Sequence, residues 1–354
     1  MNSDQYGTCV DSLSVVGGQL SAPSRPGDAA RTTDNRQLTT PVAIAGATGY
    51  AGAELQKLLQ RHPHVHVAAA YSSETFSVDA CIASGAEVVF LATPNEVSAH
   101  VAPELLAHGV KVIDLSGAFR LAEPSLYPSW YGFTHPAPHL LGEAVYGLPE
   151  WCNGELKKAR LVANPGCYPT SIVLALRPIT YLIDRTQPVI CDAKSGVSGA
   201  GKKSDLAYSF TELFGNFKAY GVGQHRHEPE IRQGLHLGER ATLVFVPHLL
   251  PAVRGIYSTL HVGFTHPVTA EELSELYANA YADAPFVRVL APGAVPELRN
   301  VVNTPYCELG FTLLNGGRRA VVVSVIDNLL KGAASQAVQN FNRMQGYAET
   351  EGLL

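Results

Sequence analysis

Residues 42–52, Val-Ala-Ile-Ala-Gly-Ala-Thr-Gly-Tyr-Ala-Gly, set the architecture of this 354-residue chain. The four apolar residues predict a buried strand, the glycines predict a tight turn, and the leucine spacing over 53–61 predicts a helix. The turn has the spacing Gly-x-x-Gly-x-x-Gly, with glycines at 46, 49 and 52. Such a turn lets the backbone approach a pyrophosphate at the helix N-terminus. The segment therefore predicts a dinucleotide site, with a merely structural turn as the alternative.

The alternation of strand and helix continues beyond this turn. Strand-like runs follow at 65–70, 88–92 and 110–115, and a helix pattern covers 98–108. This alternation predicts an α/β fold whose first domain is a Rossmann-like, doubly wound parallel sheet.

The pattern changes after Cys167. Strand-like segments at 188–193, 241–247, 256–264 and 319–326 are separated by longer connections. This favours an α+β catalytic and substrate domain with a mixed or antiparallel sheet.

The chain is expected to divide into three parts. Residues 1–40 are rich in Ser, Thr, Gly, Asp and Pro without periodicity, which is typical of a disordered leader. Residues 41–166 form the dinucleotide-binding domain, and residues 167–328 form the catalytic, substrate and dimerisation domain. A C-terminal helix over 329–354 returns to pack on the dinucleotide domain.

Composition excludes several classes of protein. The net charge is -5, and no run of Lys or Arg exceeds two residues, which argues against a nucleic-acid partner. No apolar run is long enough to span a bilayer. Six scattered cysteines without a Cys-x-x-Cys pair indicate neither a disulfide-stapled domain nor a zinc site. A cytoplasmic homo-oligomeric enzyme, a dimer or tetramer with a small-molecule substrate and no metal, is the expectation.

The segment Asn164-Pro-Gly-Cys-Tyr-Pro-Thr170 places one cysteine between turn residues and an apolar helical run. A cysteine at a helix start meets free N–H groups and the positive end of the helix dipole, which favour a thiolate and a developing oxyanion. Cys167 is therefore the candidate nucleophile. A buried structural cysteine is the alternative.

Two histidines and two carboxylates cluster in His225-Arg-His-Glu-Pro-Glu-Ile231. An imidazole near Cys167 could take the thiol proton and later protonate a leaving oxygen, with Glu230 orienting the ring. His227 is favoured as the acid/base, and His225 as a substrate-binding residue. A metal site and a solvated loop are the competing interpretations.

A second glycine cluster, Ser195-Gly-Val-Ser-Gly-Ala-Gly201, follows a predicted strand and could cradle the nicotinamide half of a cofactor or a phosphate. A flexible surface loop is the alternative. The end of the second strand, Ser72-Ser73-Glu74, should lie near the adenosine ribose. The two serines could bind the 2′-phosphate of NADP, whereas Glu74 would repel a phosphate and suits the free 2′-hydroxyl of NAD. NADP is the expected cofactor, and NAD is the alternative. The predicted cofactor-binding residues of the first domain and of this cluster are Gly46, Thr48, Gly49, Tyr50, Gly52, Ser72, Ser73, Thr93, Pro94, Ser195, Gly196, Ser198 and Gly199.

Arginines are expected at the substrate, because they bind phosphate and carboxylate bidentately. The candidates are Arg120 and Arg254, with Lys194 beside the second glycine cluster. The full predicted substrate-binding set is Ser116, Arg120, Asn164, Tyr168 and Arg254.

Taken together, these segments resemble the N-acetyl-gamma-glutamyl-phosphate reductases of the semialdehyde dehydrogenase superfamily. The resemblance also rests on Val145-Tyr-Gly-Leu-Pro-Glu150, 247–255 and 327–332, and it spans nearly everything from residue 41 onward. It implies that Cys167 attacks an acyl phosphate, that one histidine of the pair is the acid/base, and that Asn328 and the Ser195 cluster hold the nicotinamide. The chain departs from the family in a shortened segment between residues 73 and 88 and in Pro94-Asn95-Glu96.

The implied reaction is NADP-dependent reduction of N-acetyl-gamma-glutamyl phosphate to the semialdehyde in arginine biosynthesis, through a cysteine thioester. Two rivals remain open at this point. One is a related reductase of aspartyl phosphate or of a carrier-bound aminoadipyl phosphate. The other is a non-enzymatic nucleotide sensor on the same fold, which would need neither Cys167 nor the histidine pair.

Overall fold

The computed structural model describes residues 39–152, 154–202, 209–238 and 241–354. The predicted leader lies outside the described residues except at its end. Thr40, which the predicted boundary assigns to the leader, is the first residue of a strand, and its hydroxyl lies 3.0 Å from that of Tyr347. No helix in these described ranges is both long and apolar enough to cross a membrane.

The first sheet is parallel throughout. Its six strands are β1 (Thr40–Ala45), β2 (Val65–Tyr71), β3 (Val88–Leu91), β4 (Lys111–Asp114), β5 (Val145–Tyr146) and β6 (Leu161–Ala163), in the order β2-β1-β3-β4-β6-β5. The helices of this half are α1 (Tyr50–Gln60), α2 (Val78–Ala83), α3 (Asn95–Ala107) and α4 (Tyr127–Tyr131). The predicted Rossmann-like sheet is confirmed, and its central strands are apolar because helices cover both faces.

The second sheet is mixed, as predicted. Its strands are β7 (Val189–Ser195), β8 (Lys218–Ala219), β9 (Leu243–Leu249), β10 (Ile256–Gly263), β11 (Val287–Val289), β12 (Cys307–Leu314) and β13 (Arg319–Ile326), in the order β11-β12-β13-β10-β7-β9-β8. Two strand pairs are parallel, β7 with β9 and β11 with β12, and the other four are antiparallel. The accompanying helices are α5 (Cys167–Leu176), α6 (Phe210–Leu213), α7 (Glu228–Gly234) and α8 (Ala270–Ala280).

Helix α5 is buried along its length after its first residue. It packs against β10, β13 and α7, and Tyr277 of α8 donates a hydrogen bond to the Ala175 carbonyl at 2.6 Å. A helix held this firmly fixes the position of the residue at its start. That residue is Cys167.

The chain ends on the first sheet. A π-helical turn (Leu330–Ala334) leads into α9 (Ser335–Gln345), whose Phe341 shares an apolar core with Leu55 of α1 and Ile44 of β1. The helix predicted over 329–354 therefore stops at Gln345, where Gly346 adopts a left-handed conformation with φ of 80°. Glycine is favoured at such a helix end because it lacks a Cβ.

Candidate active site

A cleft of about 640 Å³ is lined by residues from both halves of the chain. Fifteen of the predicted site residues line it, namely Gly46, Thr48, Gly49, Tyr50, Gly52, Ser73, Thr93, Pro94, Ser116, Arg120, Cys167, Ser198, Gly199, His227 and Asn328. A single space thus joins the first glycine turn, the candidate nucleophile and one histidine.

Cys167 begins α5, with Gly166 as the extended N-cap residue. The predicted consequence, a lowered thiol pKa, is corrected by the structure. Burial raises the pKa of the Cys167 thiol, and the opposing effects of Arg120, the Tyr168 backbone N–H and Arg226 do not offset it. The resting group is therefore a thiol, and forming a thiolate requires a nearby base.

His227 lies beside Gly166, the residue that precedes Cys167. A Cβ on Gly166 would lie only 2.6 Å from its Nε2 atom, so the ring reaches the residue directly before the cysteine. Burial, together with His225, Arg226 and Arg120, lowers the pKa of His227 well below its ordinary value. The ring is neutral near pH 7 and can accept a proton.

His225 has a different environment. Its Nδ1 accepts the backbone N–H of His227 at 3.1 Å, and its ring lies 5.6 Å from that of Tyr168 and 5.3 Å from that of Phe245, measured between ring centroids. Burial lowers the pKa of His225 to about 4, with Arg226 adding to the effect. It lines a neighbouring cavity rather than the cleft. The predicted division of roles, His227 as acid/base and His225 as a substrate-binding residue, stays a prediction.

Glu230 does not hydrogen-bond to His227, which corrects the predicted orienting role. Its Oε1 accepts hydrogen bonds from the Tyr146 hydroxyl and the Gly166 N–H, both at 2.8 Å. Its Oε2 lies 3.6 Å from Nη1 of Arg120. The carboxylate therefore fixes the N-cap of the nucleophile's helix.

Two nitrogens of the Arg120 guanidinium are hydrogen-bonded within the protein. Its Nε donates to the Asn164 carbonyl at 2.8 Å and its Nη2 to the Leu115 carbonyl at 2.7 Å. Only Nη1, beside Glu230, lacks a carbonyl partner among the described residues. Ser116, on the same segment, donates through N and Oγ to the buried Asp114 carboxylate.

The glycines of the first turn let the backbone pack closely against neighbouring backbone. Gly46 has φ of 83°, and a Cβ there would lie 2.3 Å from the Ala92 carbonyl oxygen. A Cβ on Gly52 would lie 2.2 Å from the Gly46 carbonyl oxygen. Helix α1 begins at Tyr50 and directs its free N–H groups toward this turn. The turn fits the pyrophosphate of a dinucleotide.

The second glycine cluster faces the first across the cleft. Asn328 holds it in place, since its Nδ2 donates to Ser198 Oγ at 3.0 Å while its Oδ1 accepts from the Gly255 N–H at 2.7 Å. Gly199 lines the cleft, and a Cβ there would lie 3.1 Å from Ser195 Oγ. These residues fit the nicotinamide half of a cofactor.

Some predicted residues lie outside the cleft. Arg254 pairs with Glu54 at 2.6 Å and with Asp327 at 3.3 Å, so it ties α1 to the mixed sheet instead of facing substrate. Asn164 is buried and bonded to Ala333 and Asn340. The others outside the cleft are Ser72, Tyr168, Lys194, Ser195, Gly196, His225 and Glu230.

Sequence reasoning missed three features of the cleft. Arg226 and Lys202 are exposed cations on its wall. Gly332, in the π-helical turn, packs so closely that a Cβ there would lie 2.7 Å from the Cys167 Cβ. Arg226 lies between the two histidines of the predicted site, but the sequence analysis gave it no role.

Comparison with known proteins gives the class. Residues 41–159 match the family described as Semialdehyde dehydrogenase, NAD binding domain, and residues 167–328 match Semialdehyde dehydrogenase, dimerisation domain. With the two sheets and the thiol between them, these matches define a semialdehyde dehydrogenase, an oxidoreductase class that uses a nicotinamide cofactor.

The relatives narrow the class. The chain is 46% identical to the N-acetyl-gamma-glutamyl-phosphate reductase of Nitrosococcus oceani, over 88% of this chain and 97% of that protein. It is 45% identical to the protein of the same name from Geobacillus thermodenitrificans, with the same coverage. The chain belongs to the N-acetyl-gamma-glutamyl-phosphate reductase family, and the resemblance drawn from its motifs is confirmed.

Solved structures show the same fold at lower identity. An aspartate semialdehyde dehydrogenase II from Vibrio cholerae, complexed with ASA, superposes with a TM-score of 0.65 at 18% identity, covering 87% of this chain and 98% of that one. The Candida albicans aspartate semialdehyde dehydrogenase with NADP gives 0.61 at 14% identity, with the same coverage. This likeness concerns the fold alone.

Proposed function

We propose that this chain reduces N-acetyl-gamma-glutamyl phosphate to N-acetylglutamate semialdehyde and phosphate, a step of arginine biosynthesis. The observation that carries the proposal is the shared cleft, which joins Cys167 at a helix start, His227 beside it and the first glycine turn. The substrate comes from the names of relatives 45–46% identical over 88% of the chain.

The chain's own residues carry the covalent chemistry. Neutral His227 takes the proton of the Cys167 thiol, and the thiolate attacks the acyl carbon. The bond from that carbon to the phosphate oxygen breaks, inorganic phosphate leaves, and a thioester remains on Cys167. The free N–H groups at the start of α5 stabilise the oxyanion formed on the way.

A thioester accepts hydride far more readily than a carboxylate does, which explains the covalent step. When bound, the nicotinamide supplies that hydride. The oxyanion of the resulting thiohemiacetal re-forms the carbonyl as the carbon–sulfur bond breaks, and protonated His227 returns its proton to the departing sulfur. The semialdehyde leaves and the thiol is restored.

The proposed cofactor is NADP. Ser73 lines the cleft at the end of β2, and Ser72 Oγ accepts hydrogen bonds from the Glu74 and Thr75 N–H groups, which shapes a turn of hydroxyl donors suited to a 2′-phosphate. The adjacent Glu74 is the feature that favours NAD. Gly46, Gly49 and Gly52 hold the pyrophosphate.

The proposed division places the dinucleotide-binding domain at 41–166 and the catalytic and dimerisation domain at 167–328. A homo-oligomer, a dimer or tetramer, is supported by the description of the family matched at 167–328. All five cysteines among the described residues are free thiols, which supports a cytoplasmic location.

The test is a steady-state assay in the reverse direction. N-acetylglutamate semialdehyde, phosphate and NADP should give phosphate-dependent reduction of the cofactor, and the same assay with NAD gives the preference. Aspartate semialdehyde serves as the rival substrate. Turnover of the rival alone would overturn the proposed substrate, and a higher kcat/KM for NAD would overturn the proposed cofactor.

A further inference from the structure

A second cavity of about 490 Å³ opens beside the catalytic cleft. Gly199, Ala200 and Arg226 line both spaces, so the two are neighbours with a common wall. Trp130 and His225 line only the second cavity. Arg226 is therefore within reach of a ligand in either space.

The second cavity is cationic. Arg226 and Lys218 are exposed on its wall, and neither side chain has a hydrogen bond or ion pair to any residue that the structure describes. None of its described lining residues is Asp or Glu. A carboxylate would find partners here, whereas an ammonium group would meet two like charges and no counterion.

His225 adds a neutral donor to this wall. Because its Nδ1 accepts the His227 backbone N–H, the proton of the neutral ring is on Nε2. That Nε2–H has no hydrogen-bond partner in the described part of the chain. It suits an uncharged acceptor such as an amide carbonyl.

We infer that the second cavity binds the non-reacting end of the substrate, with Arg226 pairing with the α-carboxylate and His225 donating to the acetamido carbonyl. The inference rests on the proposed function and deepens it, because it names what distinguishes an N-acetylated substrate from a free amino acid. The acetyl group removes the ammonium charge that this cavity disfavours. Trp130 offers an apolar surface to the acetyl methyl group.

Other cations of the cleft fit this role less well. Arg120 has two donors on backbone carbonyls and a third beside Glu230. Lys202 lines the cleft but not the second cavity. Arg226 is the described cation common to both spaces.

The experiment measures protection of Cys167 from iodoacetamide, followed by mass spectrometry of its peptide in the full chain. Three protecting ligands are compared: N-acetyl-L-glutamate, 4-acetamidobutanoate, which lacks the α-carboxylate, and L-glutamate, which lacks the acetyl group. The variants are Arg226→Gln and Arg226→Lys. Arg318→Gln, at an exposed arginine between β12 and β13, is the matched control.

Wild type and the control should bind N-acetyl-L-glutamate at least about tenfold more tightly than either analogue, as expected for a charge-assisted pair. Arg226→Gln should bind N-acetyl-L-glutamate no more tightly than 4-acetamidobutanoate. Arg226→Lys should keep part of the preference for N-acetyl-L-glutamate. The inference is overturned if Arg226→Gln weakens the binding of N-acetyl-L-glutamate and 4-acetamidobutanoate equally. It is also overturned if wild type binds N-acetyl-L-glutamate no more tightly than the analogues. Failure of the proposed function is separate, since it appears as absent turnover of the semialdehyde by wild type.

Discussion

The Nδ1 atom of His225 accepts the backbone N–H of His227 at 3.1 Å, and this bond makes the two rings chemically different. It fixes the proton of His225 on Nε2 and turns that ring toward the second cavity. The Nδ1 atom of His227 is buried without a partner among the described residues, and its Nε2 faces Gly166. One ring is arranged to donate a hydrogen bond, and the other to exchange a proton.

Substitution of the two histidines should therefore have unequal effects. His227→Asn is expected to lower kcat by about 10²–10⁴-fold, the usual contribution of general acid/base catalysis. His225→Asn should mainly raise the KM for the acyl substrate. Steady-state kinetics with both variants, alongside single-turnover measurement of thioester formation, gives the comparison. If neither variant changes kcat, the proton comes from another group.

Cys167→Ser should abolish phosphate-dependent turnover while leaving dinucleotide affinity nearly unchanged. The hydroxyl is a far weaker nucleophile at neutral pH, and the first glycine turn belongs to a separate segment, at the start of α1. Cofactor binding is followed by quenching of protein fluorescence. Cys81→Ser, at a buried cysteine of α2, is the matched control. Substantial turnover by Cys167→Ser would remove this residue from the mechanism.

The first sheet was predictable because its signals are local. The apolar run before Gly46 and the leucines of α1 belong to one short segment, whose buried face is set by spacing alone. Strand β12 was missed because Glu308 and Gly310 interrupt its apolar pattern. They are accommodated only by tertiary contacts: Glu308 by Asn300, and Gly310 by the close approach of the Ala294 carbonyl.

The candidate site was predictable in its residue types but not in its charges. Arg254 and Arg226 are equally plausible anion-binding residues in the sequence. The fold gives Arg254 two carboxylates from distant segments and leaves Arg226 without one among the residues that the structure describes. Likewise, a position at a helix start predicts a lowered thiol pKa for Cys167, whereas burial of the side chain raises that pKa.

The reactivity of Cys167 should rise steeply with pH. Burial raises the pKa of its thiol, so the thiolate fraction at pH 7 is smaller than that of free cysteine and keeps growing above the ordinary thiol pKa of about 8.5. The rate of Cys167 alkylation by iodoacetamide, measured from pH 6 to 10.5 without ligands, gives the midpoint. Free cysteine is the reference. A midpoint below that of free cysteine would mean that Arg120 and the helix start outweigh burial.

Gly166→Ala should impair catalysis more than folding. The added Cβ would lie 2.6 Å from His227 Nε2 and 3.0 Å from Arg120 Nη1 and Glu230 Oε2, so the catalytic ring must move. A displacement of this size is expected to cost about 100-fold in kcat. Gly142→Ala is the matched control, since no atom of the described residues lies within 4 Å of its Cβ position and its φ is not positive. Equal activities of the two variants would contradict the contact.

The side chains of Lys331 and Glu150 form a completely buried ion pair, with Nζ and Oε1 2.5 Å apart. Lys331 also donates to Gln339 Oε1 at 2.7 Å, and it immediately precedes Gly332, whose backbone packs on Cys167. Lys331→Met leaves the Glu150 carboxylate buried without its cation. Removing one partner of such a pair typically costs about 3–5 kcal/mol of unfolding free energy.

Urea unfolding of the full chain measures that cost. The double variant Lys331→Met/Glu150→Leu should recover most of the loss, because replacing a whole buried pair by apolar residues is often nearly neutral. Arg299→Met, which breaks the exposed pair of Arg299 with Glu297, should cost no more than about 1 kcal/mol. If Lys331→Met is as mild as Arg299→Met, the buried pair does not hold the π-helical turn in place. Steady-state kinetics of the stable double variant test whether the π-helical turn needs Lys331 to position Cys167. If Gly332 is displaced, kcat should fall while the affinity for the cofactor stays unchanged.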